Sequence, residues 1–346
     1  MKIIFHEDQR LHDPKHFLSS GALRANPEVP GRIDALLAGG AELGLEVLSP
    51  VDNKMAPIAA IHSSEYLTFL KNIYVRWQRI EGGSEEVIPN IHPDRRNAGY
   101  PKSAVGQAGY HMTDTSCPIS DQTWHSAYWA AQSAVTAADQ IIKGDTSAYA
   151  LCRPPGHHAF PDMAGGFCFL NNTAIAAQRC LSTGLRPAIV DVDLHHGNGT
   201  QGVFYNRSDV LTVSVHADPE RYYPFFWGHA QERGAGDGQG SNLNVPIPRG
   251  SGDDVFQKAL SVGLQRVCDF GADVLVVALG LDAFEGDPFG GLAVTTPGFS
   301  QIATACAGLG LPTIIVQEGG YLCPELGENL KSFLGGFLDA HKVVNS

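Results

Sequence analysis

From about residue 125 onward, short runs rich in aliphatic and β-branched residues alternate with stretches whose apolar residues recur at helical spacing. Such alternation suits a parallel sheet whose crossover helices cover both faces. The pattern predicts a helix over 125–143, a strand over 147–152, a helix over 172–183 and strands over 188–193 and 210–216. It then predicts a helix over 253–269, a strand over 273–280, a last helix and a strand over 313–317. The strand ending at Arg153-Pro-Pro-Gly156 stops there because proline has no N–H to give a ladder. No low-complexity linker divides the 346 residues, so the expectation is one α/β domain over 1–346 with a mostly parallel central sheet flanked by helices. Residues 80–124, rich in Pro, Gly, Ser and charge, are expected to form a long loop insertion.

A net charge of -12 repels phosphates, which excludes general affinity for nucleic acid or anionic membrane and favours small cations. The opening Met-Lys-Ile-Ile-Phe-His-Glu is too short an apolar run for a signal peptide, and no later run reaches membrane-spanning length. Seven cysteines without a CxxC spacing, among them Cys168, Cys180 and Cys268, are expected to be reduced and buried. A cytoplasmic location follows as the expectation.

In open α/β sheets ligands bind outside the carboxyl ends of the strands, and four of these exits carry chemistry. They are Gly156-His-His158, Asp193-Leu-His195, Leu281-Asp282 and Glu318-Gly-Gly-Tyr321. Alternate residues of an extended segment share a face, so Asp191, Asp193 and His195 project together while Val192 and Leu194 face away, and His196 points elsewhere. With Asp282, the pair Asp193 and His195 offers three ligands and leaves a position open, as a catalytic zinc site requires. The same donors accept Fe²⁺. His157 and His158 supply candidates for general base and general acid. Asp191 is suited to fix one ring's tautomer, and Asn198 to orient the other without adding a full charge. Tyr321, after two glycines, is placed to donate to an oxyanion. The combined expectation is a hydrolytic site.

Arg153-Pro-Pro-Gly-His-His-Ala159, Gly165-Gly-Phe-Cys-Phe-Leu-Asn-Asn172, Asp191-Val-Asp-Leu-His-His-Gly197 and Glu318-Gly-Gly-Tyr321 together resemble the histone deacetylase superfamily. Asn198 and the long insertion are similar to its bacterial acetylpolyamine amidohydrolase branch. The resemblance implies the arginase/deacetylase fold and removal of acetyl groups from N-acetylated amines by Zn²⁺ bound to Asp193, His195 and Asp282. It implies that His158 is the main acid and base, that His157 is its partner held by Asp191, and that Tyr321 polarises the carbonyl. It implies a structural K⁺ held by Asp191, Asp193, His195, Ser214 and Val215. A substrate tunnel would run past Gly166, Phe167 and Tyr223, and the hydroxyl of Tyr223 would make one wall more polar. Acidic groups should meet a polyamine at the mouth, yet no Glu lies between Glu86 and Glu220, which leaves Asp94, Asp114 and Asp218, with Glu220 just beyond. Acetylated diamines such as acetylputrescine and acetylcadaverine are therefore substrates at least as suitable as longer polyamines. The insertion implies a homodimer. Rival readings are a deacetylase of acetyl-lysine in peptides and a binding protein without turnover. An arginase-like enzyme would need a second ligand set for two manganese ions.

Overall fold

The computed structural model describes residues 1–94 and 98–344. A run such as Val274-Leu-Val-Val-Ala-Leu279 is apolar on both faces and needs a layer of helices on each side. The strands in chain order are β1 Ile3–Ile4, β2 His16–Ser19, β3 Ala22–Ala25, β4 Val47–Leu48, β5 Ser147–Ala150, β6 Pro187–Asp191, β7 Leu211–Ala217, β8 Asn242–Ile247, β9 Val274–Leu279 and β10 Thr313–Gln317. Eight of them form one sheet in the order β4-β1-β5-β10-β9-β6-β7-β8, with every neighbouring pair parallel. β2 and β3 make a separate antiparallel hairpin.

The helices are α1 Gly31–Glu42, α2 Ala56–Ala59, α3 Ser64–Trp77, α4 Ala104–His111, α5 Thr123–Ile142, α6 Asn172–Leu181, α7 Asn198–Phe204, α8 Asp253–Phe270, α9 Thr296–Ala307 and α10 Leu326–Val344. Successive residues of β9 enter opposite layers. Leu275, Val277 and Leu279 join a core with Leu36 of α1, Phe256 of α8, Phe299 of α9 and Phe333 of α10. Val274 and Val276 join a second core with Phe69 of α3, Val135 of α5 and Ile175 of α6. Burying one such Val, Leu, Ile or Phe is worth about 1.5–3 kcal/mol, so the two-sided sheet is the rigid part of the molecule. Among the described residues no helix is long and apolar enough to cross a membrane.

The predicted second-half elements fall within a few residues of those observed. The departures have physical causes. β1 and β4 are too short to show any period, and become strands because β1 pairs with both β4 and β5. β8 carries two Asn and a Pro and reads as loop, but it lies at the sheet edge, where proline is tolerated. The insertion over 80–124 is not one long loop. It contains α4, capped by Ser103, whose Oγ accepts from the N–H of Gly106 at 3.0 Å, and a bridge between Val87 and Ile119. Glycines hid this helix. A Cβ on Gly109 would stand 1.9 Å from the carbonyl oxygen of Ile91, so that site takes glycine to let two backbones touch. Residues 95–97 of the insertion lie outside the described residues. All seven cysteines are unpaired, but Cys268 is exposed on the outer face of α8 rather than buried, and Cys323 is half-buried.

Topology brings the loaded exits together. β5, β10, β9 and β6 are consecutive neighbours in the sheet, and they lead into His157, Glu318, Asp282 and Asp193 respectively.

Candidate active site

Asp193, His195 and Asp282 are buried, and one potential ligand atom from each lies within 4.8 Å of the others. The Nδ1 of His195 stands 3.1 Å from Asp282 Oδ2 and 3.3 Å from Asp193 Oδ1. Backbone N–H groups hold the carboxylates in turn. Asp193 accepts from His195 and Gly319, each at 2.8 Å, and Asp282 accepts from Leu194 at 3.0 Å. Burial opposes ionisation of all three, yet His157 and His195 keep Asp193 below the usual carboxylate range, while burial and the charge of Asp193 push Asp282 up. Two carboxylates and an imidazole nitrogen converging on one point suit a divalent cation. Gly319 lets them converge, since a Cβ there would lie 2.3 Å from Asp282 Oδ2 and 2.5 Å from Asp193 Oδ2. Of the two glycines before Tyr321, Gly319 thus gives room to the candidate metal carboxylates, and Gly320, with φ of 107°, gives room to Leu281. A second trio, His157, Cys168 and Glu318, is equally close, but its Glu318 oxygens already accept three hydrogen bonds.

The tandem histidines have different partners. His157 Nδ1 donates to Asp191 Oδ2 at 2.9 Å, and His158 Nδ1 donates to Asn198 Oδ1 at 2.6 Å. Burial disfavours charge on both rings. In His157 the carboxylates of Asp193 and Asp191 overcome it and push the imidazole up to about 10. In His158 the neighbouring His157 and His195 add to burial, and its pKa falls well below the usual imidazole value. The surroundings therefore favour the cationic form of one ring and the neutral form of the other, whose Nε2 makes no hydrogen bond with the described residues. His196 turns away from the ligands, as expected, and packs on His216 with ring centroids 4.7 Å apart. Ser214 lies beside Asp191 in the β6/β7 register, and Val215 follows it in buried β7. Because His216 Nε2 donates to the Gly228 carbonyl, its Nδ1 accepts from Ser214, and the oxygen of that hydroxyl keeps lone pairs free.

The turn bearing Tyr321 is held by groups that the sequence pattern did not single out. Arg32 donates through Nε to the Gly320 carbonyl at 2.5 Å and through Nη2 to the Glu318 carbonyl at 2.6 Å. Its guanidinium lies 5.1 Å from the Tyr321 ring centre. Glu28 holds Arg32 at 2.6 Å and Arg153 at 2.9 Å, all three side chains being buried. The Glu318 carboxyl, pushed up to about 7 by burial, accepts from the N–H groups of Gly156 and His157 and from Thr173, tying the histidine turn to the tyrosine turn. Asp287 accepts from the N–H groups of Tyr321 and Phe289, each at 2.9 Å. Beyond the motif positions of Arg153 and Glu318 and the i,i+4 spacing of Glu28 and Arg32, nothing local marked these residues, because most of the contacts join distant parts of the chain.

Above the candidate metal ligands is a cavity of about 480 Å³ whose walls include His158, Gly166, Phe167, His195, Tyr223 and Tyr321. Phe167 packs edge-on to Tyr321 and Phe17, and Tyr223 edge-on to His158. Gly166 has φ of 48°, and a Cβ there would meet His158 Cδ2 at 2.5 Å and the Tyr223 hydroxyl at 2.8 Å. The Tyr223 hydroxyl does not face the cavity as a free polar group. It donates to Asp114 Oδ2 at 2.7 Å, and the same carboxylate takes the N–H of Gly166 at 3.2 Å and that of Ser116 at 2.7 Å. Asp114 therefore fastens two walls together.

The histone deacetylase domain model matches residues 26–337. This chain belongs to the histone deacetylase family. Over 338 residues this family member is 46% identical to the acetylpolyamine amidohydrolase of Burkholderia pseudomallei, covering 97% of this chain and 98% of that protein. It is 41% identical to the acetylpolyamine amidohydrolase of Mycoplana ramosa over 97% of this chain and 99% of that one. The crystal structure of an acetylpolyamine aminohydrolase from Burkholderia pseudomallei superimposes with a TM-score of 0.96 at 45% identity, covering 98% of this chain and 99% of the other. Its architecture is the α/β deacetylase fold, and as a family member it is a hydrolase of amide bonds. The candidate acidic contacts at the mouth of this deacetylase fare differently. Asp114 is spent on Tyr223, Asp218 caps the short turn Pro219–Arg221 through the N–H of Glu220, and neither Asp94 nor Glu220 lines the cavity.

Proposed function

We propose that this chain is a zinc-dependent amidohydrolase that removes the acetyl group from small N-acetylated amines, polyamines and diamines of the acetylputrescine and acetylcadaverine type, releasing acetate and the free amine. The observation that carries this reading is the convergence of Asp193, His195 and Asp282 at the foot of a cavity that His158 and Tyr321 also line. Bound by those three ligands, Zn²⁺, or Fe²⁺ in its place, would supply Lewis acidity to the amide carbonyl and make a nearby water more acidic. His158 Nε2 takes the proton from water as its oxygen attacks the carbonyl carbon, and returns it to the departing amine nitrogen when the C–N bond breaks. His157, held cationic by Asp191, offsets negative charge that develops in the site. Burial keeps the Tyr321 phenol protonated, so its O–H donates to the carbonyl oxygen as that oxygen gains charge. Gly166, Phe167 and Tyr223 confine the alkyl chain.

The proposal includes a structural K⁺ at Asp191, Asp193, His195, Ser214 and Val215, supported by the lone pairs left on the Ser214 hydroxyl. It includes a homodimer formed through the 80–124 insertion, supported by its exposed Ile91 and Tyr100, and a single catalytic domain over 1–346 acting in the cytoplasm, where unpaired cysteines persist. Acetate release by zinc-loaded protein from acetylputrescine, acetylcadaverine, acetylspermidine and an acetyl-lysine peptide tests the reading. Fast turnover of the small amines is expected. A preference for the peptide would move the assignment to a protein deacetylase, and no turnover would make this an acetyl-amine binding protein.

A further inference from the structure

The mouth of the cavity carries charge opposite to that expected for binding a polyamine. Arg221, at the end of the turn Pro219–Arg221, and Arg249, just after β8, both line the cavity that reaches His158 and Tyr321. Among the described residues lining it, none is acidic. The other polar lining groups near the rim are neutral hydroxyls, Ser19, Ser20, Thr115 and Ser116. Of the carboxylates nearby, Asp114 is turned inward to Tyr223 and Gly166 and Asp287 to the N–H groups of Tyr321 and Phe289, while Asp218 accepts from the N–H of Glu220 and neither it nor the exposed Glu220 lines the cavity. Arg249 is partly committed. It lies 4.9 Å from the Tyr222 ring centre and donates to the Gly290 carbonyl at 3.2 Å. Arg221 is exposed and forms no hydrogen bond or ion pair with the described residues, so its guanidinium is available to a ligand.

We propose that the site prefers N-acetylated amines whose far end is a carboxylate over those whose far end is a second ammonium. The favoured class is ω-acetamido carboxylates and side-chain-acetylated amino acids. This rests on the deacetylase reading above and reorders the substrates within it. The net charge of -12 does not argue the other way at contact range. Distributed surface charge is screened beyond about 8 Å at physiological salt, whereas a chain end in the mouth meets the arginines directly. A guanidinium also matches a carboxylate in geometry, through two parallel N–H donors, and repels an ammonium. Neutral hydroxyls accept either end group and do not reverse the order.

Three substrates with the same five-carbon chain separate the effect of charge from that of length: 6-acetamidohexanoate, N-pentylacetamide and N-acetylcadaverine. Zinc-loaded protein should rank them in that order by kcat/KM, with about tenfold between the ends, the scale of a pair of partly exposed ionic contacts. Raising salt to about 1 M should compress the ranking. Arg221→Glu should invert the order of the two charged substrates, each read as kcat/KM relative to the neutral one in the same variant, and Arg221→Gln should flatten it without introducing a new charge. Acetylcadaverine equal to or better than acetamidohexanoate in the unmodified protein, or an order that Arg221→Glu does not move, overturns the inference and leaves the deacetylase reading standing. Failure to turn over any of the three overturns both.

Discussion

At the foot of the cavity His157, His158, Asp191, Asp193 and Asp282 are each 4% exposed or less, and each has a hydrogen-bonding partner at short range. At the mouth Phe225 is 49% exposed and Arg221 has no polar partner among the described residues. The foot sits on four adjacent central strands, and the mouth on loops after β7 and β8 toward the sheet edge, the β2–β3 hairpin and the end of the 80–124 insertion. Side chains at the foot are therefore set by carboxylates, glycines and backbone N–H groups that leave little room to vary, so the foot decides the reaction. Side chains at the mouth can change without disturbing the sheet. The mouth decides which amine arrives.

If that division is right, substitutions at the foot should dwarf those at the mouth. His158→Ala should lower kcat by about 10² to 10⁴ while the fold persists, as expected for loss of a general base. A variant keeping more than a tenth of the activity would mean that another group moves the proton. Behind the foot, Glu28→Gln leaves the buried guanidiniums of Arg32 and Arg153 without their shared carboxylate, at a cost of about 3–5 kcal/mol in unfolding by denaturant. A loss below about 1 kcal/mol would show that backbone carbonyls alone satisfy the two arginines.

A subtler change sharpens the contrast within the foot. His158 must be neutral to accept a proton, and burial with the cationic His157 beside it lowers its pKa, so kcat/KM should hold from neutral pH to about 6.5 and fall only below it. Asn198→Asp would place a carboxylate against Nδ1, favour the imidazolium and move the acid limb up by about one unit. An unmoved limb would assign it to another group. The smallest effect should come where foot meets mouth. Asp114→Asn weakens the acceptor that joins Tyr223 to Gly166, and should cost about 1 kcal/mol, read mainly as a several-fold rise in KM with kcat less affected. A fall in kcat with KM unchanged would place Asp114 in support of the chemistry instead.

Much of the foot was legible because strand exits and period-two alternation are local signals. Asp191, Asp193 and His195 lie within five residues, and the strand before them announces itself by its apolar run. The frame around them was not legible. Arg32 meets Gly320 across 288 positions of the chain, and Gly156 meets Glu318 across 162. No spacing rule spans such distances. Helix α4 was missed for a related reason, since Gly106 and Gly109 lower helical propensity while serving contacts visible only in three dimensions.

The sequence by itself determined the architecture and the reactive groups: apolar runs wet on neither face require a two-sided sheet, and its loaded exits hold two carboxylates, histidines and a phenol. Tertiary structure alone decided which of those groups are free to act. A carboxylate can serve a substrate only if no closer donor claims it, and the claim on Asp114 comes from Tyr223, 109 residues away. For the same reason a chain acidic overall can present arginines at the mouth of its active site. Net charge is a sum over the sequence, whereas a ligand meets only the few charges that folding leaves within reach.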